Sequence, residues 1–91
     1  MNFLIINGPN LNKLGQRDPT IYGAVTIAEL QAKLEEAAQS LGVEVYFFQS
    51  NSEGAIIDYI QKEASKASGI IINPGALTHY GLSLREALAE V

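Results

Sequence analysis

Three short runs of apolar, β-branched and aromatic residues, each followed by a segment of helical periodicity, constrain this chain more than any other feature. Residues 2–7 carry an apolar run that stops at Asn7 before Gly8-Pro9, as suits a strand buried on both faces of a parallel sheet. Val43 to Phe48 is a second such run, and Gly69 to Asn73, ending at Pro74-Gly75, is a third. Between them, Thr26-x-x-Glu29 reads as a capping box, with Ile27, Leu30, Leu34, Ala37, Ala38 and Leu41 on one helical face and Gly42 as the stop. Ser50-x-x-Glu53 offers a second box, ahead of a stripe of Ile56, Ile57, Ile60, Ala64 and Ala67. Ser83-x-x-Glu86 offers a third, opening a helix that runs to Val91. The order is βαβαβα without repeat, linker or low-complexity stretch, which predicts an α/β domain with a parallel sheet and right-handed crossovers. Three strands fall short of the roughly five or six of a doubly wound domain. The last helix also lacks a glycine stop, so residues 1–91 are expected to be one domain truncated at its C-terminal side.

Composition narrows the chemistry. With 47% hydrophobic and 18% charged residues the chain can bury a core. No apolar run approaches the ~20 residues of a membrane helix. The start lacks the basic leader of a signal peptide, which predicts a cytoplasmic protein with no membrane partner. The absence of cysteine excludes disulfides, thiolate metal sites and a Cys nucleophile. A single His excludes a His-rich zinc site, so no metal is expected. A net charge of −4 disfavours nucleic acid, whose phosphates require clustered Lys and Arg.

Ligands of open parallel sheets bind beyond the carboxyl ends of the strands. The loop after the first strand, Gly8 to Val25, has 18 residues without clear helix or strand pattern. Segments of that length are lids, binding loops or disordered. It carries Asn10, Asn12, Lys13, Arg17, Asp18 and Tyr22, with Gly15 and Gly23 as hinge candidates. Asn73, at the edge of the third strand, is either a polar ligand contact or a turn residue before Pro-Gly. His79 follows on the same loop, where it is either structural or the one group with an ordinary pKa near neutrality. Tyr22 and Arg17 have a sharper joint meaning. A phenol of pKa about 10 is a weak base, and a guanidinium held beside it favours phenolate and makes it a stronger candidate for a general base. The plainer alternative packs Tyr22 on the core and leaves Arg17 solvated.

Four ordered blocks connect these residues. Ile6-Asn7-Gly8-Pro9-Asn10-Leu11-Asn12, with Leu14-Gly15-Gln16-Arg17-Asp18-Pro19 and Ile21-Tyr22-Gly23, resembles the opening of the type II 3-dehydroquinate dehydratases. Phe48-Gln49-Ser50-Asn51-Ser52-Glu53-Gly54, Ile72-Asn73-Pro74-Gly75-Ala76, and Thr78-His79 leading to Leu84-Arg85 agree in order and spacing, so the similarity covers essentially the whole chain. The resemblance implies a flavodoxin-like fold, removal of water from 3-dehydroquinate in the shikimate and quinate pathways, and neither metal nor cofactor. It implies Tyr22 as the base for the proton α to the ketone, Arg17 as support for its anion, and Asn10 as the residue that positions the donor at the enolate. Asn73 and His79 would bind the ring hydroxyls. Glu86 matches an acidic position, usually Asp, that reaches a neighbouring subunit's site; its other reading is the capping partner of Ser83. Family members form trimers that build into dodecamers, which makes a homo-oligomer the expected state.

The resemblance also marks a departure. Family members continue into a strand with a Glu-Val-His-x-Ser-Asn motif and then an Arg, whose His protonates the departing hydroxyl. These residues do not occur in the 91, and His79 matches the binding position, not the acid. Activity of the 91 residues alone is therefore not expected. Two other readings remain beside the dehydratase. One is a non-catalytic flavodoxin-like module that binds a small anion or builds an oligomer. The other is a mononucleotide-binding domain, disfavoured because Gly-Pro-Asn-Leu-Asn is not a Gly-rich phosphate loop.

Overall fold

The computed structural model describes residues 1–16 and 25–91. Its strands are β1 (Asn2–Asn7), β2 (Glu44–Gln49) and β3 (Gly69–Asn73). Its helices are α1 (Ile27–Leu41), α2 (Glu53–Glu63), α3 (Leu77–Tyr80) and α4 (Leu82–Ala89). Single 3₁₀ turns occur at Leu11–Lys13 and Ala64–Lys66.

The sheet is parallel with order β2-β1-β3. The most continuous apolar run thus occupies the middle, where Leu4, Ile5 and Ile6 are all buried. Because β2 and β3 flank β1 on opposite sides, right-handed crossovers place α1 and α2 on opposite faces. Leu4 and Ile6 join Ile56, Ile60, Leu77 and Leu84 in one core cluster, against which Ile70 and Ile72 also pack. Side chains alternate along a strand, so Ile71 points to the other face, where it is 58% exposed. The α/β class, the parallel sheet and all three strands agree with the sequence reading.

The first cap does too: Thr26 Oγ1 accepts a hydrogen bond from the Glu29 amide at 3.1 Å, and Gly42 closes α1 in the left-handed region. Two other expectations are corrected. Helix α2 is capped by Ser52, not Ser50: Ser52 Oγ accepts from the Ala55 amide at 3.2 Å. Ser50 is still held at the sheet edge, its amide donating to the Asn7 carbonyl at 3.1 Å, so the helix cannot begin there. Nor does Ser83 cap the last helix. Residues 77–80 first make the short α3, α4 then starts at Leu82, and Ser83 lies inside it. The cap comes from another element, as Glu53 Oε2 accepts from the Leu84 amide at 3.0 Å. Helix α4 ends at Ala89, short of Val91.

The α1 stripe is also shallower than its periodicity implies. Ala38 is buried, but Ala37 is exposed and Leu41 is 77% exposed. Ile60→Ala is expected to cost about 2–5 kcal/mol by urea unfolding, as for other buried large-to-small changes. Leu41→Ala should stay within about 0.5 kcal/mol of the parent. Losing the cap in Glu53→Ala should cost about 0.5–2 kcal/mol, whereas Ser83→Ala should cost well under that.

Candidate active site

The carboxyl edge of the sheet is a row of amides: Asn7 stands in register with Gln49 on one side and Asn73 on the other. The chain leaves β1 toward β2 and later crosses to β3, so the strand order reverses at β1. The loops after β1 and β3 therefore border the crevice in which such folds bind ligands.

Those two loops are locked together by their backbones. The Gly8 amide donates to the Asn73 carbonyl at 2.8 Å, extending the β1–β3 ladder past the strand end. A Cβ on Gly8 would lie 2.5 Å from the Pro74 carbonyl oxygen, closer than any side chain tolerates. Gly75, with φ +61, faces back, and a Cβ there would lie 3.1 Å from the Pro9 carbonyl oxygen. Each glycine thus lies against the other loop's proline.

Asn73 ends β3 with its side chain exposed, and its Oδ1 accepts from the Gly75 amide at 3.3 Å. The turn reading of Asn73 is thus met by its Oδ1, and its exposure leaves the side-chain amide nitrogen available as a donor. His79 lies on α3, exposed, on the rim of an open groove of about 240 Å³ shared with Pro74, Thr78, Leu82 and Arg85. Asn10 opens the Leu11–Lys13 turn in a left-handed conformation, and its amide donates to Asn51 Oδ1 at 2.9 Å. The loops thus bring Asn10 and Asn73 to the same sheet edge. Glu86 is not with them: it lines a separate depression with Ile57, Gln61 and Ser83. Arg17 and Tyr22 lie outside the described residues.

Among the described residues the perturbed phenols lie elsewhere. Tyr59 is pushed up by burial and by Glu63, and Tyr46 by its hydrogen bond to Glu44 and that carboxylate's charge. Both border a depression that reaches Asn2, at the amino end of β1. Among the described residues no group of three or more His, Cys, Asp or Glu is placed to hold a metal ion, and no helix is long and apolar enough to cross a membrane. Sequence reasoning missed two contributors to this edge, Asn51 and Glu53. The signal for the first was Gln49-Ser50-Asn51 at a strand's carboxyl end; for the second there was none beyond its place in a supposed capping box.

The family model described as dehydroquinase class II matches residues 1–91. The chain belongs to the class II dehydroquinases. A relative from Roseiflexus castenholzii named 3-dehydroquinate dehydratase is 60% identical over 98% of this chain and 57% of its own length. Another of that name, from Herpetosiphon aurantiacus, is 55% identical over 98% of this chain and 62% of its own. The crystal structure of a type II dehydroquinase from Butyrivibrio crossotus superposes with a TM-score of 0.95 at 50% identity, over 100% of this chain and 63% of its own. The chain thus spans less than two thirds of the length of these relatives. The order β2-β1-β3 of this class II dehydroquinase chain is the opening of the flavodoxin-like order.

The glycine lock yields a direct test. Gly8→Ala is expected to cost about 1–3 kcal/mol by chemical denaturation, since neither backbone can retreat without breaking the β1–β3 ladder. Thr78→Ala, an exposed change on the same segment, should cost under about 0.5 kcal/mol.

Proposed function

We propose that this class II dehydroquinase chain acts in the elimination of water from 3-dehydroquinate, giving 3-dehydroshikimate through an enolate. The observation that carries the reading is the locking of the β1 and β3 loops at the strand-order reversal, with Asn10 and Asn73 on them. It is joined by the relatives named 3-dehydroquinate dehydratase.

In this reading Tyr22 removes the proton α to the ketone, and Arg17 stabilises the phenolate that does so. The electron pair moves onto the ketone oxygen, and Asn10 positions the hydrogen-bond donor that meets it. Collapse of the enolate breaks the bond to the β-hydroxyl, which leaves as water after protonation. Asn73 and His79 hold the ring hydroxyls. The acid for the leaving group is assigned to a residue outside these 91, because His79 serves binding. No cofactor or metal takes part.

Glu86 serves a neighbouring copy. Its separation from the His79 groove supports this, since adjacent positions on α4 put Arg85 in that groove and Glu86 in another depression. The chain is accordingly read as one flavodoxin-like domain within a trimer-based dodecamer, working in the cytoplasm in aromatic biosynthesis through the shikimate pathway.

Formation of the conjugated enone product, followed by ultraviolet absorbance with the natural-length protein, tests the reading. Tyr22→Phe should lower kcat by about 10²–10⁴ with a small change in KM, the effect of losing a general base. Turnover that survives Tyr22→Phe would overturn Tyr22 as the base, and a wild-type protein that binds the substrate without converting it would sink the assignment in favour of a non-catalytic module.

A further inference from the structure

We infer that Asn51, oriented by Gln49, is a positioning residue for Asn10: it holds the Asn10 backbone in the conformation that turns the Asn10 side chain to the crevice. This rests on the functional reading above.

Asn10 breaks two local rules at once. With φ 71 it is the only non-glycine residue of positive φ among the described residues. That region is disfavoured for a residue bearing a Cβ, less so for Asn, and it persists where neighbours fix it. Asn10 also occupies the N-cap position of the Leu11–Lys13 turn, yet its side chain makes no cap hydrogen bond. An asparagine at an N-cap ordinarily has extended backbone and uses its side chain to cap. Here the backbone is tied at both ends, and among the described residues the side chain has no hydrogen-bond partner. The carbonyl accepts from the Lys13 amide at 3.0 Å, and the amide donates to Asn51 Oδ1 at 2.9 Å.

Asn51 is itself fixed. Gln49 Nε2 donates to Asn51 Oδ1 at 3.2 Å and to the Gly8 carbonyl at 3.2 Å. The donated hydrogen sets which end of the Asn51 amide faces Asn10, because only its oxygen can accept. Gln49 is the last residue of β2, in register with Asn7, so the chain of bonds starts from the sheet and ends at Asn10. Strained residues whose backbone is over-determined by neighbours cluster at functional sites, and that is the ground for the assignment.

The test is a double-mutant cycle on 3-dehydroquinate turnover by the natural-length protein. Asn51→Ala should lower kcat by about 10-fold, the scale of one lost hydrogen bond in the transition state, with KM within about threefold. Asn51→Asp, which keeps an acceptor, should recover most of that loss. In an Asn10→Gly background, where the left-handed backbone is kept and the side chain is gone, Asn51→Ala should cost less than about twofold. Loss of packing alone would instead multiply through both backgrounds. Amide hydrogen exchange adds a readout independent of catalysis: Asn10 should be protected in the wild type and lose that protection in Asn51→Ala.

Wild-type turnover with Asn51→Ala within twofold of it, or equal costs in both backgrounds, would overturn this inference and leave the functional reading standing. An unprotected Asn10 amide in the wild type would overturn it even if Asn51→Ala fails to fold. A wild-type protein without turnover would remove the functional reading, and the positioning role with it.

Discussion

Gly8 and Pro74 approach each other backbone to backbone, and the geometry of the whole carboxyl edge follows from that contact. The Gly8 amide and the Asn73 carbonyl carry the β1–β3 ladder one residue past β1 at 2.8 Å, so the strands stay paired until the loops part. A methyl group at Gly8 would fall 2.5 Å from a carbonyl oxygen that already accepts from the Leu77 amide at 3.2 Å. That carbonyl is not free to move, because it also starts α3. Gly75 repeats the constraint from the other side, with a left-handed φ that disfavours a side chain independently of space. The consequence is that main-chain geometry sets where these loops meet, and the side-chain bonds of Asn73, Gln49 and Asn51 add to a path already fixed.

The strands were legible because burial on both faces of a parallel sheet leaves a continuous apolar signature, and Leu4, Ile5 and Ile6 carry it. Helix periodicity was legible only in part. It tells which residues share a face but not whether anything covers that face. Ile56 and Ile60 meet the core completely, whereas Leu41, on an equally regular stripe, is exposed. The caps show a different ambiguity. Ser50 and Ser52 are equally acceptable cap residues by type, and the choice between them was made by the bond from the Ser50 amide to the Asn7 carbonyl. That bond spans the sheet, so no local pattern contains it.

The candidate site divides the same way. That Asn73 ends a strand and His79 follows it could be read from Pro74-Gly75, and the placement of Asn10 after β1 from Gly8-Pro9. The left-handed backbone of Asn10 could not. Asparagine suits a left-handed position and an N-cap equally well, and its partner is 41 residues away in the sequence. Nor could the distribution of α4 side chains be foreseen with its start wrongly set at Ser83. In the structure α4 begins at Leu82, Arg85 lines the same groove as His79, and Glu86 lines a depression with Ile57 and Gln61.

The segment bearing His79 is then best understood as a strap tied at both ends. At one end the Asn73 carbonyl is bound to Gly8; at the other the Leu84 amide is bound to the Glu53 carboxylate, which is anchored by α2 in the core. Between them Leu77 and Gly81 are buried, and a Cβ at Gly81 would meet the Leu77 carbonyl at 2.7 Å. Each tie is a bond of modest net strength, about 1 kcal/mol, or up to about 3 where one partner is charged. Their effect on geometry is larger than their energy, because fixing both ends of a short segment removes most of its freedom at once. Thr78 and His79 are left exposed on a strap held at both ends. A ligand that uses them pays little ordering entropy on binding, which is the condition for a weak polar contact to contribute its full strength.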